Sequence, residues 1–264
     1  MIGQLTREAI LAALDTAFVG RSLEVYDAID STNARAVAWA RTGAPDGSLV
    51  ITDEQTAGRG RLGRRWHAPP GSALLFSLVL RPALMPMQAQ RATMLCSSAA
   101  VEAISAVTGL TAQVKWPNDL VIERKKVGGV LTELGLAGRE LDYVVVGMGL
   151  NVNLDPAQIP EALAPPTSLR AELGVPVERL PLLSVLLQAV EARYTALGRG
   201  WSPHEEWRKH LATLGQPVQV GTPEEVIVGV AEDVDADGAL LVRMPKGELR
   251  TVLVGDVTLR GHRV

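Results

Sequence analysis

The 264-residue chain has a single cysteine, which excludes an internal disulfide. Cys96 lies in the apolar, small-residue run from Ala92 to Val101 and reads as a buried, inert thiol rather than a nucleophile. No apolar run approaches the roughly 18 residues needed to span a bilayer. The N-terminal stretch carries Glu8 and Asp15 within a helix-like pattern, unlike a secretory signal. A cytoplasmic protein without a membrane partner is therefore expected. Positive charge is not in surplus either: a formal net charge of -3 argues against general nucleic-acid binding. His67, His204, His210 and His262 do not show zinc-ligand spacing, so no structural zinc is expected. With 47% hydrophobic and 21% charged residues, the chain is long enough for one sizeable domain plus a small one around a buried core.

Against that mildly acidic background, Gly58 to Trp66 stands out. Its nine residues hold Arg59, Arg61, Arg64 and Arg65 together with Gly58, Gly60 and Gly63, and no acid. Glycines let a backbone curl until its N–H groups approach a ligand, and guanidinium groups are forked, permanently charged donors for phosphate and carboxylate oxygens. A small polyanion is the expected occupant. The glycine spacing fits the dinucleotide fingerprint, but that motif must open a helix, and Pro69-Pro70-Gly71 forbid one here. Arg64 and Arg65 stand where a P-loop needs Lys and Ser or Thr. The plain alternative is a solvated basic loop.

Apolar periodicity predicts a helix over residues 5–18, a strand from Leu23 to Ile29, and a helix capped by Ser31-Thr32-Asn33 that runs to Ala40. Leu49 to Thr52 and the wholly apolar-looking Ala73 to Leu80 read as core strands that hold the arginine loop between them. A long alanine-rich helix follows over Gln88 to Val107. A strand then ends at Lys115, and Leu120 to Ile122, Val127 to Leu136 and Leu141 to Gly147 read as an antiparallel meander. Helices are expected over Leu180 to Leu197 and Pro203 to Leu214. Beyond Gly215, short β-rich runs recur at about ten-residue spacing, the rhythm of a small barrel. The mixed sheet is expected to be mostly antiparallel, with domains over residues 1–214 and 215–264.

Asp233, Asp235, Asp237 and Gly238 match the opening of a calcium-binding loop, but Met244 stands where a bidentate Glu is required, so a hairpin turn is expected. Lys115-Trp116-Pro117-Asn118-Asp119 places a cation and an acid at a strand end, where their side chains can converge. Lys126-Val127-Gly128-Gly129 puts a compact cation beside two glycines that let a ligand lie close to the strand. Gly147-Met148-Gly149-Leu150-Asn151-Val152-Asn153 adds two amides, which suit a polar heterocycle or a turn cap.

In this order, Ser31-Thr32-Asn33, Gln55, the Gly58 to Trp66 loop, and the segments beginning at Lys115, Lys126 and Gly147 resemble biotin protein ligase. The resemblance runs from Leu23 to the end and includes Gly238 to Val242 and Gly255 to Arg260. It implies an α+β, class II synthetase-like catalytic domain whose mixed sheet is flanked by helices, followed by a C-terminal SH3-like barrel. It also implies a two-step reaction: biotin and MgATP give biotinyl-5′-adenylate, then a lysine of a biotin carboxyl carrier domain attacks the mixed anhydride. On that resemblance Ser31, Thr32, Asn33, Gln55, Arg59, Gly60, Arg61, Lys126 and Gly129 would bind biotin. Gly58, Arg61, Arg64, Trp66, Asn118 and Asn151 would bind the nucleotide. Lys126 and Arg61 would be catalytic, with Asp119 orienting Lys126 or assisting magnesium or the incoming amine.

The metal would arrive with ATP and not be fixed by the protein alone, and a homodimer is left open. Only about 20 residues precede the first strand, whereas members that also repress transcription carry a winged helix-turn-helix there, so DNA binding is not expected. The nearest rival is a lipoate or octanoate ligase or transferase on a related fold, which has no need of a polar Ser-Thr-Asn pocket facing Gln55. A noncatalytic module that binds nucleic acid or an acidic partner is disfavoured by the net charge and the aligned motifs.

Overall fold

The computed structural model describes residues 5–159, 164–222 and 225–259. Its larger sheet contains β1 (Leu23–Ile29), β2 (Ser48–Gln55), β3 (Ala73–Leu80), β4 (Gln113–Lys115), β5 (Asp119–Ile122), β6 (Lys125–Ala137) and β7 (Glu140–Asn151), in the order β1-β2-β3-β7-β6-β5-β4. β1 and β2 run parallel, and every other neighbour is antiparallel, giving the mixed, mostly antiparallel sheet expected. All eight residues of β3 are buried because helices cover both faces. Period-two alternation sends Val50 and Val79 toward Ala36 and Ala40 of α2 (Thr32–Arg41). It sends Leu49, Ile51, Leu74, Phe76 and Leu78 into the main core, shared with Leu95 and Ala99 of α3 (Gln90–Thr108).

The helix expected over residues 5–18 is shorter: α1 covers Arg7–Ala13. Side chains hold the chain beyond it. Arg21 donates to the carbonyls of Leu11, Leu14 and Thr16, and the Glu191 carboxylate accepts the backbone N–H groups of Ala17, Phe18 and Val19. Three such donors outweigh the cost of burial and hold the Glu191 pKa below the usual carboxylate range. The sequence reading missed the short α4 (Leu169–Leu173). α5 (Arg179–Gly198) follows the apolar pattern. α6 (His204–His210) stops well before Leu214, because Leu211 pairs with Val114 and the Ala212 N–H bonds to the Val114 carbonyl at 2.9 Å.

The second sheet comprises β8 (Pro217–Gly221), β9 (Val226–Val234), β10 (Leu240–Arg243), β11 (Leu249–Val252) and β12 (Asp256–Leu259), in the antiparallel order β11-β10-β9-β8-β12. The barrel expectation is met only as a separate small sheet: among the described residues β11 and β12 are its edges and do not pair with each other. The acidic hairpin between β9 and β10 is a turn whose carboxylates have protein partners. Asp233 pairs with Arg208, Asp237 with Arg91, and Asp235 accepts the N–H groups of Asp237 and Ala239. At its tip the Gly238 carbonyl accepts the Trp116 indole N–H at 2.8 Å, tying the small sheet to the end of β4. No helix among the described residues is long and apolar enough to cross a membrane.

Candidate active site

One cavity of about 780 Å³ opens where several strand ends of the large sheet meet the arginine loop and the start of β12. Its first corner is polar. Ser31, Thr32 and Asn33 are buried at the start of α2, and Gln55 closes the end of β2. The Thr32 backbone N–H donates to Gln55 Oε1 at 2.9 Å, and Thr32 Oγ1 lies 3.1 Å from the same atom. Asn33 Nδ2 donates to the Leu131 carbonyl and to Glu133 Oε1 at 3.2 and 3.0 Å. Asn33 reaches the sheet because Gly147 has no side chain: a Cβ there would run into the Asn33 amide.

The second corner is cationic. The loop curls into a small hairpin in which Arg59 pairs with Arg65, the Gly60 N–H meets the Arg64 carbonyl at 2.7 Å, and the Trp66 N–H meets the Gly58 carbonyl at 3.0 Å. Leu62 takes a left-handed conformation at its exposed tip, with φ 55°. Arg61 Nη1 donates to Asn118 Oδ1 and the Gly255 carbonyl, both at 3.3 Å, and Arg64 is ion-paired with Asp256. Burial lowers the Arg61 pKa, against the pull of Asp256 and Asp119. The Lys115 ammonium is lowered by the same cause, against Asp119.

Between the corners sits Lys126, whose Nζ donates to Asp119 Oδ1 at 2.5 Å and lies 5.7 Å from the centroid of a Trp66 ring. Gly149 makes room for that indole, since a Cβ there would collide with it. Two buried polar atoms at the cavity, Trp66 Nε1 and Asn151 Oδ1, have no partner among the described residues, whereas Asn151 Nδ2 donates to the Thr167 carbonyl at 3.0 Å. Such orphans carry a desolvation cost that a bound polar group can relieve.

Of the residues singled out from the sequence, Ser31, Thr32, Asn33, Gln55, Arg59, Gly60, Arg61, Arg64, Trp66, Asn118, Asp119, Lys126, Gly129 and Asn151 all line this cavity. Gly58 does not. It shapes the hairpin from beneath, where a Cβ would press on the Trp66 carbonyl. Sequence reasoning missed Asp256, Val257 and Thr258, which reach the cavity from β12, and the buried Ser77 behind Thr32. Ser77 did leave a signal, as the lone hydroxyl in an otherwise apolar strand.

Fold and site together define a member of the biotin and lipoate ligase class. The profile of the biotin/lipoate A/B protein ligase family matches residues 25–151, and that of the biotin protein ligase C-terminal domain matches residues 213–260. The sequence is 32% identical over 260 residues to the bifunctional ligase/repressor BirA of Bacillus subtilis strain 168, covering 97% of this chain and 80% of that one. It is 35% identical over 246 residues to the biotin–[acetyl-CoA-carboxylase] ligase of Mycobacterium tuberculosis, covering 90% and 88%. The biotin protein ligase of Aquifex aeolicus, solved in complex with biotin and ATP, superposes with a TM-score of 0.76 at 28% identity over 91% of this chain and 99% of that one. The chain belongs to the biotin protein ligase family.

Proposed function

We propose that the protein activates biotin with ATP and transfers the biotinyl group to a lysine of a biotin carboxyl carrier domain. The observation that carries this reading is the placement of Lys126, 2.5 Å from Asp119, between a neutral polar corner and an arginine-rich one in a single cavity. In the first step a biotin carboxylate oxygen attacks the α-phosphorus, the bond to the β-phosphate oxygen breaks, and pyrophosphate leaves. The reaction brings several negative charges together, so catalysis is chiefly positioning and charge neutralisation. The Lys126 ammonium bridges the carboxylate and α-phosphate, while Arg61 and Arg64 exchange their present partners for phosphate oxygens. In the second step the carrier lysine amine attacks the acyl carbon, the acyl–phosphate bond breaks and AMP leaves. Asp119 is placed to take the proton from the incoming ammonium.

Ser31, Thr32, Asn33 and Gln55 hold the ureido ring, with Arg59, Gly60 and Gly129 closing around the ligand. Trp66, Asn118 and Asn151 face the nucleotide, for which the orphan Asn151 Oδ1 is a ready acceptor. Magnesium enters with ATP, because the cavity carboxylates of Asp119 and Asp256 are already paired with Lys126 and Arg64. We assign residues 1–214 to a class II synthetase-like catalytic domain and 215–264 to an SH3-like C-terminal domain. The contact from Trp116 to Gly238 and the reach of β12 into the cavity support a shared site. Pyrophosphate exchange into labelled ATP, driven by biotin, lipoate or octanoate, tests the reading. Biotin alone is expected to drive exchange, and exchange driven by lipoate or octanoate but not by biotin would sink the assignment.

A further inference from the structure

The large sheet is split at its cavity end. β2 and β3 pair only as far as Thr52 and Leu75, after which Glu54 and Gln55 continue alongside β1 while Ala73 and Leu74 continue alongside β7. The split leaves two prongs. One carries Gln55 and holds the start of α2, the other carries Asn151, and both line the cavity. The chain from Thr56 to Ser72, with the arginine hairpin, joins one prong to the other. A ligand that fills the polar corner and reaches Asn151 as well must match the gap between them.

Arg179, the first residue of α5, spans this gap from behind, outside the cavity. Its backbone is fastened to the second prong: Val177 donates its N–H to Asn153 Oδ1 and accepts Asn153 Nδ2 at its carbonyl, both at 2.9 Å, and the Asn153 N–H bonds to the Ser72 carbonyl at 2.7 Å. From there Arg179 Nη1 donates to the Ala73 carbonyl at 3.2 Å and, across the split, to Asp53 Oδ1 at 2.5 Å. The Arg179 side chain is 2% exposed, and its buried Nε has no partner among the described residues. As a device for stability this is poor, since replacing a buried ion pair by apolar packing is often neutral or stabilising, and an unmet buried donor adds a further cost. What the pair supplies is a fixed distance. Asp53 lies two positions before Gln55, and Ala73 stands opposite Asn151.

We propose that Arg179 and Asp53 are positioning residues that set the spacing of the two prongs, so that the pair strengthens binding of the joined biotinyl-adenylate far more than that of biotin or ATP alone. The inference rests on the biotin reading of the site. Separate substrates settle into their own corners whatever the gap, whereas in a joined ligand the second half binds at an effective concentration set by how well the gap fits. A misplacement of about 1 Å costs about a hundredfold in such a fit.

The test measures binding of biotin, of ATP and of the phosphodiester analogue of biotinyl-adenylate to the full chain by calorimetry. Breaking a buried pair on one side is strongly destabilising, so the main variant combines Arg179→Met with Asp53→Asn. It should bind biotin and ATP within about threefold of wild type, but the analogue about thirtyfold more weakly. Asp53→Asn alone keeps an amide oxygen for the guanidinium and leaves the Ala73 hydrogen bond in place. It should show the same pattern at several-fold, and it decides the matter if the double variant does not fold. A merely structural pair would lower the melting temperature and weaken all three ligands together. Equal weakening of the three, or an analogue held as tightly as by wild type, overturns the proposal. Wild-type protein that binds neither biotin nor the analogue overturns the biotin reading as well. Wild-type binding of both, with unaltered binding in the variants, overturns this inference alone.

Discussion

Lys125 and Lys126 are adjacent in β6, yet their ammonium groups part: Lys125 Nζ reaches Glu172 of α4 at 2.8 Å and Lys126 Nζ reaches Asp119. Strand alternation is the cause: successive side chains of a strand point to opposite faces of the sheet. Lys126→Ala should reduce adenylate formation by several orders of magnitude in a pyrophosphate-exchange assay. Lys126→Arg, which keeps the charge but not the compact head, should remain partly active. Lys125→Ala should exchange normally, and a reversal of the two outcomes would show that the site is built on the other face. Lys115 gives a second prediction at this scale. Burial disfavours its ammonium, so in the interval between its lowered folded pKa and its ordinary value the unfolded chain binds more protons, and stability rises with pH there. Lys115→Met should therefore raise the melting temperature at neutral pH and flatten that slope, while adenylate formation falls as a cation lining the cavity is lost. A lower melting temperature at neutral pH would count against a burial cost at this site.

At the level of elements, the Gly58–Trp66 hairpin is tethered more firmly than its composition implies. Arg61 and Arg64 find partners in Asn118, Gly255 and Asp256, so mutual repulsion acts chiefly through the exposed Arg59 and Arg65. Arg61→Ala should release biotinyl-adenylate into solution, detectable by chromatography, with little change in melting temperature, because the loop adds little to the core. A large thermal loss would instead make the loop a structural brace. The elements themselves were legible to different degrees, for physical reasons. β3, α3 and the meander carry their period in their own side chains. The segment beyond Ala13 and the end of α6 do not: Arg21, Glu191 and Val114 decide them from elsewhere in the chain. The site followed the same rule. Residues in compact motifs were readable, whereas Asp256 to Thr258 enter the cavity only because the second sheet packs where it does.

Taken whole, the molecule is a mildly acidic body in which six of the 26 lysines and arginines line one cavity. Raising ionic strength from about 0.05 to about 0.5 M shortens screening lengths from roughly 14 to roughly 4 Å. KM for ATP should rise several-fold, and KM for biotin, which brings one carboxylate where ATP brings a triphosphate, should rise less. Equal salt dependence for both substrates would argue against the division of the cavity into two corners. The core provides its own reporter. Burial pushes the Cys96 thiol up to about 12, so alkylation near neutral pH should follow global opening and slow when biotin and ATP are bound together. Labelling as fast as that of a free thiol would show that the α3 core is not closed.

The empty space at Gly147 has a consequence for anyone trying to harden this protein. Mid-strand glycine costs a fold about 0.5–1 kcal/mol relative to alanine, so a stability screen would treat β7 as an easy gain. Any methyl placed there meets the Asn33 amide and evicts it from the sheet. Evicting Asn33 strands the Leu131 carbonyl, Glu133 and the buried Ser77 hydroxyl, a loss of about 1–3 kcal/mol for each buried group left unmet, so selection on heat alone should keep glycine at 147 although no ligand is present to ask for it.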